Sequence, residues 1–185
     1  MSVRSAAAFA ALIVSLLSAA PGAAAERACA VTAVEGPGAR IWLGGVWSPL
    51  VEGPIGGEEA VIRTGPAARA EIACDDGIVA SIGLGATVKL SALAAEGPGA
   101  RDVVFDLIEG IVGFVAPRRT WRRLDVRTTL AVASVRSTEW LVEAGPESAA
   151  VFVREGAVAV AARDGADEVV LRAGEGVDVG PAGLG

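Results

Sequence analysis

Three times in this chain a Glu-Gly pair closes one run of alternating residues and opens another: Glu109-Gly110, Glu155-Gly156 and Glu175-Gly176. The stretch from Ser134 to Val160 shows the pattern most fully, with short β-branched runs on either side of Glu155-Gly156. A period of two sends successive side chains to opposite faces of an extended chain, and glycine supplies the backbone freedom that a corner needs. Ala68-Arg69-Ala70-Glu71-Ile72-Ala73-Cys74 and Leu124-Asp125-Val126-Arg127-Thr128 alternate in the same way. The 24 glycines interrupt every window long enough for a helix, and the Ala-rich stretch from Ser91 to Glu96 is too short to nucleate one. The expectation is an all-β chain of about fourteen to sixteen short strands.

The corners repeat. Glu35-Gly36-Pro37-Gly38-Ala39-Arg40 recurs letter for letter at Glu96-Gly97-Pro98-Gly99-Ala100-Arg101, with a looser copy at Gly65-Pro66-Ala67-Ala68-Arg69. Proline after glycine fixes φ and removes a donor, so these segments read as turns before they read as ligand loops. Asp75-Asp76-Gly77 and Gly83-Leu84-Gly85 read as turns too. The spacing of the Glu-Gly corners is uneven, which excludes a strict repeat. The architecture expected is a single domain, either an irregular β-solenoid-like fold or a sandwich of many short strands.

Residues 1–25 read as an export signal. Arg4 precedes the apolar run from Ala6 to Ala20, about fifteen residues and too short for a membrane span, and Ala23-Ala24-Ala25 supplies a small-residue cleavage site. The folded domain is expected over 26–180 with a loose tail at 181–185, in the periplasm or secreted, not membrane-spanning. Cys29 does not directly follow the cleavage site, so lipidation is not expected. Without Arg4 the balance is 15 basic residues against 22 acidic ones. That field repels nucleic acid. Two cysteines in an exported chain favour a Cys29–Cys74 disulfide over a metal site, the alternative being two buried thiols.

Chemistry is scarce. The chain has no histidine and no tyrosine, which removes the usual general base and the commonest metal ligand. Glu139 beside Trp140 suggests a carboxylate next to a stacking ring, but a glycosidase needs two carboxylates. No metal, no cofactor and no catalysis are expected. Arg118-Arg119-Thr120-Trp121-Arg122-Arg123 is the candidate binding cluster: guanidinium forks match carboxylate and phosphate oxygens, and indole adds a flat surface. Its alternative reading is a solvated loop whose arginines (Arg118, Arg119, Arg122 and Arg123) pair with nearby acids. Trp42 and Trp47 read as core plugs.

Several segments then fall into a familiar order: Val34-Glu35-Gly36, Trp47-Ser48-Pro49-Leu50, Val61 through Ile72, Asp76 through Gly83, Val126-Arg127-Thr128 through Glu139-Trp140, Val151 to Val160 and Val169 to Val179. Together they cover most of 30–180 and resemble the FecR family, the exported sensing domain of iron-siderophore regulators and of standalone exported proteins. The turn Arg136-Ser137-Thr138-Glu139 carries serine where the family usually has glycine, and Thr129-Leu130 stands where proline is usual. The resemblance implies a non-catalytic protein-binding or signal-sensing module. Full regulators place an anti-sigma segment and a membrane span ahead of this domain, so an export signal there implies the sensing half alone. The partner expected is an envelope or periplasmic protein, engaged through strand edges or the arginine cluster. The alternative is an anionic envelope polymer such as peptidoglycan or a glycan.

Overall fold

The computed structural model describes residues 29–56, 59–74, 77–91, 101–117, 121–135, 138–165 and 167–185; for 101, 102 and 121–123 the description is of backbone. Residues 1–28, and with them the expected export signal, lie outside it.

Among the described residues there are seventeen strands and no helix. They are β1 Cys29–Glu35, β2 Arg40–Leu43, β3 Val46–Pro49, β4 Gly53–Ile55, β5 Glu59–Arg63, β6 Arg69–Cys74, β7 Val79–Ile82, β8 Thr87–Ser91 and β9 Arg101–Ala116. There follow β10 Trp121–Arg127, β11 Ala131–Val135, β12 Thr138–Ala144, β13 Ala149–Glu155, β14 Ala157–Ala162, β15 Glu168–Arg172, β16 Gly176–Gly180 and β17 Gly183–Leu184. The expected loose tail therefore returns as β17, with Val179 opposite Leu184.

The strands fall into two layers. The first runs β4-β1-β6-β7-β9-β12-β13-β16-β17. The second runs β3-β2-β5-β8-β9-β10-β11-β14-β15. Every pairing is antiparallel except β9 with β10, so the sheet is mixed. The chain visits the layers in alternation: β1 in the first, β2 and β3 in the second, β4 in the first, β5 in the second, and so on to β16 and β17 in the first.

β9 belongs to both layers. Its 16 residues make it far longer than any strand the sequence suggests. From Val104 to Glu109 it pairs with β8; from Gly110 to Ala116 it pairs with β12. Glu109-Gly110, expected to separate two strands, is where one continuous strand passes from layer to layer. Gly110 has φ +93°, and a Cβ there would lie 2.6 Å from both Cα and Cβ of Ala86. Gly36 is equally constrained, at φ +75° with the Ala67 carbonyl oxygen in the space a Cβ would fill. The Glu175-Gly176 corner works differently: the positive φ falls on Gly174, and the Glu175 carboxylate accepts from the Arg172 N–H at 2.7 Å.

Corners stack on one another through hydrogen bonds. The buried Thr64 hydroxyl donates to the Gly83 carbonyl at 2.7 Å and accepts from the Ala86 N–H at 2.8 Å. Gly85 N–H reaches the Gly65 carbonyl at 3.0 Å, and Gly83 N–H the Ile111 carbonyl at 2.9 Å. The turns after β5, after β7 and within β9 thus form one continuous edge.

The inward side chains of both layers make a single core. Phe105 comes from the second-layer half of β9 and Phe114 from the first-layer half; their rings sit 5.1 Å apart. Trp140 of β12 stacks on Phe114 at 5.0 Å. Three aromatics in contact bury a large apolar area at the point where the layers share a strand. The Trp140 Nε1 has no hydrogen-bond partner among the described residues, a cost that the burial of the ring offsets. Cys29 and Cys74 face each other across β1 and β6 and are disulfide-bonded, 45 residues apart in sequence.

Two outcomes test this account. Replacing both cysteines by alanine should lower the unfolding free energy by about 4 kcal/mol in urea titrations, as closure of so long a loop implies; an unshifted midpoint contradicts the role given to the bridge. Gly110→Ala should cost about 2 kcal/mol or more, while Gly113→Ala on the same strand, with nothing within 4 Å of its Cβ position, should be near neutral in thermal melts.

Candidate functional site

With one core shared between the layers, function is left to the outward faces and the sheet edges. The edges offer little. In the first layer β4 spans three residues and β17 two. In the second layer β3 ends in Pro49, and at β15 the Glu175 side chain occupies the Arg172 N–H. Short, proline-ended and side-chain-capped edges resist strand addition.

The outward face of the first layer is different. From Ile111 to Ala116 β9 carries no polar residue on either side. Val112, Phe114 and Ala116 point inward and are buried; Ile111, Gly113 and Val115 point outward. Register sets Gly113 between Ser81 of β7 and Leu141 of β12, and Leu141 beside Phe152 of β13. Ile111, Val115, Leu141 and Phe152 are 39%, 47%, 38% and 47% exposed, and Leu84 extends the apolar strip from the adjoining corner. Because Gly113 has no side chain, the strip is dented by a depression of about 630 Å³, lined among others by Ala33, Arg69, Ser81, Ile111, Gly113 and Leu141.

Carboxylates surround the strip. Glu143 lies opposite Ile111 and Asp178 opposite Ala150 on the same face, and Glu35 and Glu71 line the far side of the depression with Arg69. Glu71 accepts from the Thr32 hydroxyl at 2.8 Å, and Glu139 is paired with Arg154 at 2.6 Å. An apolar centre within an acidic rim suits a docking surface. Among the described residues no group of three or more His, Cys, Asp or Glu is placed to hold a metal ion.

Arg118, Arg119, Arg136 and Ser137 lie outside the described residues, and Trp121, Arg122 and Arg123 begin β10, described as backbone. Thr138 is buried, its hydroxyl donating to the Ala157 carbonyl at 3.0 Å, which makes it a strand-to-strand tie. Trp140 is only 2% exposed and faces away from Glu139, so it stacks in the core and not on a ligand. Trp42 and Trp47 correct the core-plug expectation: they are half-buried, opposite each other on the outward face of the second layer. The apolar strip had its own sequence signal, the uninterrupted run Ile111-Val112-Gly113-Phe114-Val115-Ala116, which leaves a strand greasy on both faces.

Comparison with known proteins agrees with this architecture. Two crystal structures, at 2.50 Å and 1.65 Å resolution, of a proposed anti-sigma factor from Parabacteroides distasonis superpose with a TM-score of 0.56 at 23% identity. The alignments cover 68% and 67% of this chain and 58% and 57% of those chains, so this chain spans a little over half their length. At that identity the likeness is one of fold. No curated protein matches the chain. No helix among the described residues is long and apolar enough to cross a membrane. The profile of the FecR protein family matches residues 60–159, from β5 to β14 and through the whole apolar half of β9. That segment is more than half of the 185 residues, and the chain belongs to the FecR family.

Proposed function

We propose that this chain is an exported, non-catalytic FecR-domain module that binds a protein segment on the outward face of its first layer. The observation that carries the reading is the strip Leu84, Ile111, Val115, Leu141 and Phe152 around the Gly113 depression. Large apolar side chains gathered on one outward face mark an interaction surface more often than an accident of composition. The acidic rim selects the partner's chemistry: a segment with an apolar centre flanked by Lys or Arg, steered by charge and held by burial. Export is supported by the apolar leader at residues 1–25 and by the Cys29–Cys74 bridge, since disulfides persist in oxidising compartments. The alternation of the chain between layers supports describing the fold as an irregular β-solenoid-like wrap, each visit adding a strand or hairpin to one face.

The test uses a photo-crosslinking residue placed at Val115 in the exporting cell, with one at Val132 on the other layer as control. A protein should be captured from position 115 and not from 132. Capture should fall by about tenfold in Gly113→Trp, which fills the depression, and in Leu141→Glu, which sets a charge in the strip. Both positions are outward, so melting temperatures should stay within a few degrees of the parent. Equal capture from both layers, or capture indifferent to both substitutions, sinks the reading.

A further inference from the structure

The second layer's outward face carries a different constellation. Arg40 of β2 stands directly opposite Arg63 of β5, and both are exposed. Like charges placed opposite each other on adjacent strands are destabilising. This sheet relieves such charge where it can: one strand further along, Lys89 of β8 is paired with Glu59 of β5 at 2.9 Å. Arg40 and Arg63 have no ion pair among the described residues, in a chain with 22 acidic residues to draw on. Pro49, on the other side of Arg40, supplies no carboxylate. Both guanidinium groups instead meet the Trp47 ring, Arg40 Cζ at 5.9 Å and Arg63 Cζ at 5.3 Å from its centroid.

An indole under a guanidinium engages its face. The in-plane N–H donors stay free, and those are the donors that grip oxygens in pairs. Two guanidinium groups steadied by one ring, adjacent and without carboxylate partners, are pre-arranged for an oxyanion that takes a fork from each. We propose that Arg40, Arg63 and Trp47 form a binding site for a single phosphate-type oxyanion. The net charge of −6 works against a long polyanion, so the ligand is one anionic group, free or carried as a headgroup. Arg63 lies within the segment matched by the family profile, and Arg40 and Trp47 precede it. The site lies on the layer opposite the apolar strip and does not depend on the protein-docking reading.

Titrating the mature domain with inorganic phosphate, at ionic strength held constant with chloride, should give a saturable calorimetric signal and a change in tryptophan fluorescence. Arg40→Gln and Arg63→Gln should each weaken it by about tenfold or more, the scale of losing charge-assisted hydrogen bonds. Lys89→Gln, a cation already paired, should leave it unchanged. Arg63→Lys keeps the charge but not the fork and should weaken binding as well. Because these side chains are exposed, unaltered thermal melts will confirm that the variants fold. Vesicles containing phosphatidic acid, against phosphatidylcholine alone, separate the sources. Binding of phosphate supports a free anion, and binding only of the acidic vesicles supports a headgroup, provided that either is lost in the glutamine variants. No saturable response to either probe, or one indifferent to Arg40→Gln and Arg63→Gln, overturns the proposal.

Discussion

The fold depends on one strand serving two layers. β9 pairs with β8 and β10 in the second layer and with β7 and β12 in the first. A strand can do this only if it turns sharply without losing its ladder, and the turn is made at Gly110, packed against Ala86 where no Cβ fits. The corner at Ala86 is in turn fixed by Thr64, whose hydroxyl both accepts from Ala86 and donates to Gly83. Remove the crossing and the two sheets keep their connecting corners but lose the one strand whose ladder is common to both. With it, Phe105 and Phe114, nine positions apart on one strand, are brought to 5.1 Å and seed the core.

The same strand supplies the floor of the candidate docking surface. Its first-layer half must be apolar inward to meet Trp140, and it is apolar outward as well. Packing explains Val112 and Phe114; it does not explain Ile111 and Val115, whose side chains gain nothing from the core. Gly113 sharpens the point. Glycine in a strand interior gives up stability and side-chain packing, and no crowding at this position requires it. A small residue with open space above it, ringed by larger apolar ones, is what a surface shaped to receive another side chain needs.

Much of the fold was legible in the sequence, because period-two alternation and glycine punctuation are local signals. The corners at Gly36, Gly65, Gly85 and Gly156 stand where glycine and proline place them. β9 was not legible. A Glu-Gly pair has the same letters whether it ends a strand or bends one, and only the closeness of Ala86, twenty-four positions away, distinguishes the cases. The site was less legible still. Charge clusters are visible in a linear sequence, so attention falls on Arg118–Arg123. A surface assembled from β7, β9, β12 and β13, or a cation pair such as Arg40 and Arg63, exists only once register is set. The tryptophans show the same limit: Trp140 stands next to Glu139 in the chain yet is buried, and Trp47 reads as core yet faces outward.

The two faces carry opposite chemistries, apolar with an acidic rim on one layer and paired guanidinium groups on the other, and the frame between them decides whether they can communicate. Coupling needs an element with two arrangements that both ligands bias differently. The obvious candidate is β9, which touches both layers. Its register, however, is set by Gly110 against Ala86, and a slip of one residue would turn Phe105, Leu107, Val112 and Phe114 out of the core together. A strand pinned in this way has one arrangement. The two faces are therefore expected to act as independent binding surfaces on a common rigid frame, and any sensing by this domain would come from which ligands it holds together and not from a change in its own shape.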